Sequence, residues 1–139
     1  YYTTHMPGYS GKSLRDKLGL HPGSSTVFLF APLSYIESLG EISDIEMFPV
    51  AKENHDFIHL FVREKKMLMK ELPILRNAIK QNGVIWVSWP KRSSKAVTDI
   101  TEDTIREACL PLGLVDIKVA AIDETWSGLK LVLRLSNRH

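Results

Sequence analysis

The sequence predicts an α/β protein with one mainly parallel β-sheet and helices packed on both of its faces. Residues 26–30 and 56–62 are short, almost wholly apolar runs, the pattern of strands buried on both sides. Segments with helical spacing of apolar residues lie between the strands, and this alternation favours parallel pairing through helical crossovers. Residues 123–128 link the last two strands and are too few for a parallel crossover, so those strands should form an antiparallel hairpin. These observations predict a Rossmann-like sheet that ends in a C-terminal hairpin.

Length and composition indicate a single globular domain. The chain has 139 residues and a mass of 15.8 kDa, and it is 44% hydrophobic and 24% charged. These values suit one domain with a real core and do not suit a disordered chain. We interpret residues 1–6 (YYTTHM) as a cloning remnant and assign the domain to residues 7–139.

The charge balance and the cysteine content indicate which binding partners and which cellular compartment to expect. Lys and Arg number 18 against 16 Asp and Glu, a net charge of +2, so any binding of nucleic acid would need a local basic cluster. No apolar run approaches the roughly 20 residues of a membrane span, and the first residues lack a secretory pattern. Cys109 is the single cysteine, which excludes an intrachain disulfide and fits a reducing compartment. We therefore expect a cytoplasmic protein.

The first half of the chain contains residues that favour the ends of helices and strands. Its predicted elements are a helix at 12–18, a strand at 26–30, a short helix at 34–39 and a strand at 45–50. Ser13 suits the start of the first helix, and Gly19 and Gly40 suit the ends of the two helices. Pro49 interrupts the second strand, which makes that strand the weakest of the set.

The second half repeats the alternation before the hairpin. Its predicted elements are a strand at 56–62, a helix at 64–81, a strand at 84–89, a helix at 101–112, and strands at 115–122 and 129–135. Pro73 should kink or interrupt the long helix, and Asn82-Gly83 should cap its end. Thr101 should cap the next helix. Gly128 should supply an unusual backbone angle in the hairpin turn.

Five segments resemble blocks of a small bacterial family of unknown function, a DUF family. They are residues 9–14 (YSGKSL), 56–61 (DFIHLF), 83–91 (GVIWVSWPK), 98–103 (TDITED) and 123–131 (DETWSGLKL). The succession of strand, helix, G-h-h-W-h strand, helix and hairpin also resembles the C-terminal half of class I S-adenosylmethionine-dependent methyltransferases. This resemblance implies a truncated methyltransferase-like fold, short by about one strand-helix unit, and no activity comes with the DUF family.

The resemblance to methyltransferases also implies where their cofactor would bind, and the sequence departs from the pattern there. Those enzymes have a Gly-rich turn after the first strand, whereas residues 30–35 (FAPLSY) contain no glycine. They also have an acid at the end of the second strand, where this chain offers only Glu53. We therefore expect no cofactor of the ordinary kind.

The loop at residues 91–95 (KRSSK) is the leading candidate site. It follows a buried strand and so lies at the carboxyl end of the sheet, where open α/β folds bind ligands. Its cations and serines can hold a phosphate or carboxylate, although a solvated loop would have the same composition. The candidate ligand-binding residues are Ala31, Pro32, Tyr35, Ser88, Trp89, Lys91, Arg92, Lys95 and Trp126.

Other side chains favour structural roles. Trp86 and Trp89 are three residues apart and should face opposite sides of one strand, while Trp126 could stack on a planar ligand or close the sheet end. His55 and His59 would be about 13 Å apart on a strand, too far to share a metal ion, so no metal site is predicted. We expect His59 to be buried and hydrogen-bonded.

Three functional hypotheses remain open. The preferred one is a non-catalytic Rossmann-like domain that binds a partner protein or a small anionic ligand at residues 91–95. The second is a divergent methyltransferase-like enzyme that uses residues 31–35 and 88–91. The third is a nucleic-acid-binding module that combines the basic loop with Lys12, Arg15 and Lys17, for which the composition gives little support. A cavity filled by Phe30, Tyr35 and Trp89 would exclude the second.

Overall fold

The computed structural model describes residues 13–137, which form a six-stranded sheet in the order β2-β1-β3-β4-β6-β5. The elements in chain order are α1 (Leu14–Leu18), β1 (Ser25–Leu29), α2 (Leu33–Ser38), β2 (Glu46–Phe48), β3 (His55–Phe61), α3 (Lys65–Ala78), β4 (Ile79–Pro90), α4 (Glu102–Cys109), β5 (Leu114–Ala121) and β6 (Trp126–Leu133). Single turns of 3-10 helix occur at Arg92–Ser94, Leu110–Leu112 and Leu135–Asn137.

The sheet is mainly parallel and ends in an antiparallel hairpin, which confirms the predicted fold class. β1 pairs in parallel with β2 and β3, and β3 pairs in parallel with β4. β6 then pairs antiparallel with both β4 and β5. The four parallel strands therefore end along one side of the sheet, called here the carboxyl edge, and begin along the opposite side, the amino edge.

Helices cover both faces of the sheet, and each face has its own apolar core. Leu18 of α1 and Tyr35 of α2 are buried on one face, called here the α1 face. Leu72 of α3 and Ile105 of α4 are buried on the other, the α3 face. Trp86 belongs to the core of the α1 face and Trp89 to that of the α3 face, so their predicted separation is confirmed. Cys109 also lies in the α3-face core, as a small buried residue.

The helix ends follow the local signals at most positions. The Ser13 Oγ accepts a hydrogen bond from the Asp16 N–H at 3.1 Å, and Gly19 has a φ of 76° where α1 ends. The Thr101 Oγ1 accepts from the Thr104 N–H, and the Thr104 Oγ1 accepts from the Thr101 N–H. This reciprocal pair is a capping box, so Thr101 caps α4 as predicted. Lys12 lies outside the described residues.

The long helix departs from the prediction at two places. α3 is one element from Lys65 to Ala78, so Pro73 does not interrupt it. Proline removes one backbone hydrogen bond at this exposed position, but Leu68, Leu72 and Leu75 anchor the turns on both sides in the core. The helix also ends at Ala78, three residues before its predicted end.

Gly83 does not cap α3, because it lies within β4. A Cβ atom at this position would lie 2.8 Å from the carbonyl oxygen of His55 and 2.7 Å from the Cγ1 of Ile79. The pairing of β3 with β4 jumps at this point, from His55 opposite Ile79 to Phe57 opposite Val84. Glycine therefore allows close approach of the two strands, and the prediction of a helix cap at Asn82-Gly83 was wrong.

The last strand begins three residues earlier than predicted. β6 starts at Trp126, and Gly128 pairs with Ser88 of β4 and Ala120 of β5. A Cβ atom at Gly128 would lie 3.1 Å from the Ser88 Oγ and 3.0 Å from the Ile122 Cδ1. The prediction that Gly128 supplies a turn angle was wrong, because the glycine makes room for buried neighbours.

Replacing Gly128 with alanine should therefore destabilise the fold. The added methyl group would press on Ser88 and Ile122, and overpacking of this kind costs about 1–3 kcal/mol. Urea denaturation of Gly128→Ala against the unmodified chain measures the change in the free energy of unfolding. Ser127→Ala, at the neighbouring half-buried position, is the control and should stay within about 0.5 kcal/mol. Equal effects of the two substitutions would contradict this account of Gly128.

Candidate functional site

Two separate cavities open along the carboxyl edge. The first, called here the β3 cavity, lies between the ends of β1 and β3 and the start of β6; its lining includes Phe30, Pro32, Arg63, Glu64, Met67 and Trp126. The second, the β4 cavity, lies between the end of β4 and the start of α4; its lining includes Trp89, Arg92, Lys95, Asp99, Ile100 and Glu102. The predicted site residues divide between these two places and the buried core.

The β3 cavity is small and shallow, and its lining is partly aromatic. Its volume is about 270 Å³, below the roughly 300–1,000 Å³ of typical ligand pockets. The Phe61 ring meets the Trp126 ring edge-on with 5.1 Å between centroids. The Arg63 guanidinium lies 5.1 Å from the centroid of the Trp126 ring, within the range of a cation–π contact. Trp126 therefore closes this end of the sheet.

The turn after β1 has unusual backbone geometry. Phe30 has a φ of 59°, in the left-handed region that disfavours a bulky residue, and its side chain is 61% exposed. Pro32 then precedes α2 and lines the β3 cavity, while Ala31 packs partly buried against the α1-face core. Glu53 lies two residues before the start of β3 and so at the amino edge. The structure therefore places residues 30–32 and Glu53 at opposite edges of the sheet.

A buried hydrogen-bond network joins three elements beneath this turn. The His59 Nδ1 of β3 lies 2.7 Å from the Tyr35 Oη of α2, and the His59 Nε2 lies 2.7 Å from the Ser88 Oγ of β4. All three residues are fully buried. Each polar group has a partner, so the network meets the main requirement for burying polar side chains. The prediction of a buried, hydrogen-bonded His59 is confirmed.

Burial keeps the His59 imidazole neutral. Removal from solvent lowers the pKa of His59 to about 3 and raises the pKa of Tyr35. A neutral imidazole has one donor and one acceptor nitrogen, so one of the two hydroxyl groups donates to the ring and the other accepts from it. The Ser88–His59 contact has the residue types of a nucleophile and a base, but neither side chain meets either cavity.

The β4 cavity is larger than the β3 cavity, and Arg92 and Lys95 of the predicted loop form part of its lining. Its volume is about 420 Å³, in the range of small-molecule sites. Trp89 forms an aromatic part of the wall and Ile100 an apolar part, both buried. Arg92 and Lys95 are exposed cations of its lining. The cavity thus combines an apolar wall with positive charge.

The two acids of the β4 cavity are already engaged. The Asp99 Oδ1 accepts a hydrogen bond of 2.6 Å from the backbone N–H of Lys65, at the start of α3. Glu102 forms an ion pair with Arg106. Arg92 and Lys95 have no ion-pair partner among residues 13–137. The cavity therefore has two acids held by groups of the protein and two cations without an ion-pair partner among these residues.

Hydrogen bonds hold the loop at both ends. The Lys91 N–H donates to the Thr125 carbonyl at 2.7 Å, which joins the loop to the β5–β6 turn. The Thr98 Oγ1 donates to the Arg63 carbonyl at 2.6 Å, which joins it to the end of β3. Lys95 has a φ of 61° where the 3-10 turn ends. The backbone around the two free cations is thus fixed by contacts outside the loop.

The predicted site residues therefore fall into distinct environments. Trp89, Arg92 and Lys95 line the β4 cavity, with Lys91 half-buried at the loop start; Pro32 and Trp126 line the β3 cavity beside Ala31; and Tyr35 and Ser88 are buried with His59. Sequence reasoning missed two residues: Arg63, which follows β3, and Asp99, which faces the end of that strand. The TDITED segment signalled a helix start, but not the distant contact of Asp99 with α3.

Residues 13–137 contain neither a cluster of metal ligands nor a membrane-spanning helix. No group of three or more His, Cys, Asp or Glu side chains within that range could hold a metal ion. No helix in the same part of the chain is long and apolar enough to cross a membrane.

Acidification should destabilise the fold through His59. The native pKa of about 3 lies below the ordinary value of 6.5, so the unfolded chain binds more protons between these two pH values. Stability is full above pH 6.5 and falls as the pH drops, by up to about 1.4 kcal/mol per pH unit for one proton. Urea denaturation from pH 7 to pH 4.5 measures this slope. His59→Gln should show a shallower slope, since the lowered pKa of His55 remains in both proteins; parallel profiles would contradict the assignment.

Comparisons with known proteins agree with the fold. The chain aligns with LepI in complex with SAM at a TM-score of 0.55 and 14% identity, covering 87% of this chain and 39% of that one. It aligns with a ribosomal protein L11 methylase from Lactobacillus delbrueckii subsp. bulgaricus at 0.55 and 12%, covering 87% and 75%. A putative type 11 methyltransferase from Sulfolobus solfataricus gives 0.56 and 12%, covering 91% and 92%. At these identities the likeness establishes the fold alone.

A family model identifies the chain more specifically. A search of curated proteins found no match. The model described as "Protein of unknown function (DUF3052)" matches residues 37–135, well over half of the chain, and includes β2–β6 and the β4 cavity. The predicted resemblance to a DUF family with a methyltransferase-like fold is thereby confirmed. The chain belongs to the DUF3052 family of proteins of unknown function.

Proposed function

We propose that this domain binds a small organic anion in the β4 cavity and does not itself catalyse a reaction. The observation that carries the proposal is that two exposed cations of that cavity have no ion-pair partner among the described residues. Asp99 and Glu102 are paired with groups of the protein, whereas Arg92 and Lys95 are left without a counter-ion among the described residues. An anionic group can supply two charge-assisted contacts there.

The cavity walls suggest the rest of the ligand. Trp89 and Ile100 give the cavity an aromatic and an apolar wall beside the two cations. A ligand with one carboxylate or phosphate group and a planar or apolar body would use both features. The proposed class is therefore small aromatic or aliphatic carboxylates and phosphate esters.

Three observations support binding without catalysis. Ser88 and His59 are buried in the core, and the other Ser–His contact of the described residues, Ser25 Oγ to His55 Nδ1 at 3.0 Å, lies at the amino edge, so neither pair lines the β3 or the β4 cavity. Burial raises the pKa of the Cys109 thiol to about 11, opposite to the shift that activates a nucleophilic cysteine. The β3 cavity, where the methyltransferase resemblance places a cofactor, is narrowed by Trp126.

A divergent methyltransferase-like enzyme is the second candidate. The observation in its favour is Phe30, whose strained backbone and exposed ring lie at the end of β1, beside the β3 cavity. Strained residues of this kind cluster at functional sites. The nucleic-acid hypothesis has less support, because Arg15 forms a two-point contact with Asp44 at 2.8 Å and 2.9 Å and is not free for a phosphate.

The three tryptophans allow one experiment to separate the two candidates. Trp89 reports on the β4 cavity, Trp126 on the β3 cavity, and fully buried Trp86 serves as an internal reference. Phenyl phosphate added to ¹⁵N-tryptophan-labelled protein should shift the Trp89 indole signal saturably. S-adenosylmethionine that instead shifts Trp126 would favour the methyltransferase-like candidate. No saturable shift with phenyl phosphate, benzoate or S-adenosylmethionine would contradict both, and a protein partner would then become the reading to test.

Substitution of the two cations should weaken phenyl phosphate binding. The Arg92→Ala/Lys95→Ala double variant removes both charge-assisted contacts, each worth about 1.5–3 kcal/mol, so the Kd should rise by at least about tenfold. Lys52→Ala is the matched control, because Lys52 is an exposed cation at the amino edge, next to His55. Titration calorimetry gives both values. An unchanged Kd in the double variant would refute the assignment of the cavity.

A further inference from the structure

We infer that a second, distinct site for a small oxyanion lies on the α1 face near the amino edge, with Lys130 as its principal ligand. The site is a cavity of about 380 Å³, called here the Lys130 cavity; its lining includes Gly19, His21, Asp56, Asn82 and Lys130. It lies on the opposite face of the sheet from the core that contains Trp89. It shares no lining residue with the β4 cavity, where the function proposed above is placed.

Lys130 occupies a position that would ordinarily be apolar. It lies in β6, an inner strand, directly opposite Trp86 of β4 and Lys118 of β5. Trp86 is fully buried, and the flanking residues of β6, Leu129 and Leu131, are buried on the other face. A half-buried ammonium group at this position loses part of its hydration, and apolar neighbours cannot replace the hydrogen bonds that water provided.

The described protein groups around Lys130 are engaged with other partners. A Cβ atom at Gly19 would lie 3.7 Å from the Lys130 Nζ, so the ammonium lies against the end of α1. The nearby carbonyl groups already accept hydrogen bonds: Lys17 from the Lys118 Nζ and Leu18 from the Trp86 Nε1. Lys130 makes no hydrogen bond or ion pair with any described residue. Its three N–H donors thus remain available to a ligand.

The neighbouring charges add to this imbalance. Lys118 faces Lys130 across the strand pair, an arrangement of like charges that is unfavourable in a sheet. Burial, and then the charge of Lys118, lower the pKa of Lys130. Asp56 is the acid of the described lining, but its carboxylate already binds the Lys80 ammonium at 2.9 Å and the Ser25 N–H at 2.8 Å. A bound anion would offset the charge that the protein leaves uncompensated.

The lining also contains neutral donors. Asn82 has a side-chain amide at the cavity, and His21 has a ring that can donate, both on exposed turns or strand ends. Together with the Lys130 ammonium they can surround the oxygen atoms of one phosphate or carboxylate group. The chemical class is therefore a small oxyanion, and phosphate and acetate are the probes that separate its two forms.

The experiment observes the lysine side chains directly. Protein labelled with ¹³C at lysine Cε is titrated with sodium phosphate, and separately with sodium acetate, at an ionic strength held constant with sodium chloride. The Lys130→Met spectrum assigns the Lys130 signal. We expect that signal to move saturably with one or both anions, and the pKa of Lys130 to rise in their presence, because anion and proton binding at this site favour each other. Lys70, an exposed lysine of α3, is the reference for general screening.

The variants distinguish this site from the β4 cavity. The Arg92→Ala/Lys95→Ala variant should retain the full response of Lys130. Lys130→Met should keep the apolar stem, melt at the same or a higher temperature in chloride, and leave the response of Trp89 to phenyl phosphate unchanged. Movement of Lys130 no larger than that of Lys70, or a response lost in the Arg92→Ala/Lys95→Ala variant, would overturn the inference. A lower melting temperature for Lys130→Met in chloride would also overturn it, since that result indicates a structural role for the ammonium.

Discussion

The hydrogen bonds on the two sides of the His59 ring tie together three elements of the α1 face. A polar ring in the middle of a covered sheet has no water to bond with, so its two nitrogen atoms need partners from the protein. Tyr35 supplies one from α2 and Ser88 supplies the other from β4. These contacts fix α2 over β3, and through α2 they fix the turn that follows β1. Gly128 completes the arrangement, because a larger residue would press on Ser88.

The packing of these residues also determines where open space remains along the carboxyl edge. Tyr35 and Ser88 are used inside the core, and Trp126 closes the space above β3 with Phe61 and Arg63 against its ring. The larger volume lies instead beyond β4, where Lys91 and Thr98 are hydrogen-bonded to the Thr125 and Arg63 carbonyl groups. The fold is methyltransferase-like, and of the two carboxyl-edge cavities described here the larger lies beside α4.

The order of the elements was predictable because it depends on patterns within short segments. Apolar runs marked β1 and β3, and capping residues marked α1 and α4. The errors occurred where contacts distant in sequence outweigh a local signal. Asn82-Gly83 has the composition of a helix cap, but Gly83 serves the close approach of β4 to the His55 carbonyl. Trp126, likewise in a segment with turn composition, pairs with Pro90 of β4.

The candidate site was predictable in part for the same reason. A basic loop after a buried strand can be read from the sequence, and Trp89, Arg92 and Lys95 do line one cavity. The partners of His59 could not be read, because they lie 24 and 29 residues away along the chain. No local sequence pattern shows that the Asp99 carboxylate accepts a hydrogen bond from the backbone N–H at the start of α3.

The net charge of the chain does not show which acidic side chains are already bound within the fold. The chain carries nearly equal numbers of acidic and basic residues, so composition alone does not indicate nucleic-acid binding. The structure shows that several of its acids have structural tasks: Asp44 holds Arg15, Asp56 holds Lys80 and the Ser25 N–H, and Asp123 accepts from the Thr125 and Trp126 N–H groups of the hairpin turn. An acid that is occupied in this way cannot neutralise a distant cation. Single cations can therefore lack an ion-pair partner, as Arg92, Lys95 and Lys130 do among the described residues, although the chain as a whole is close to neutral.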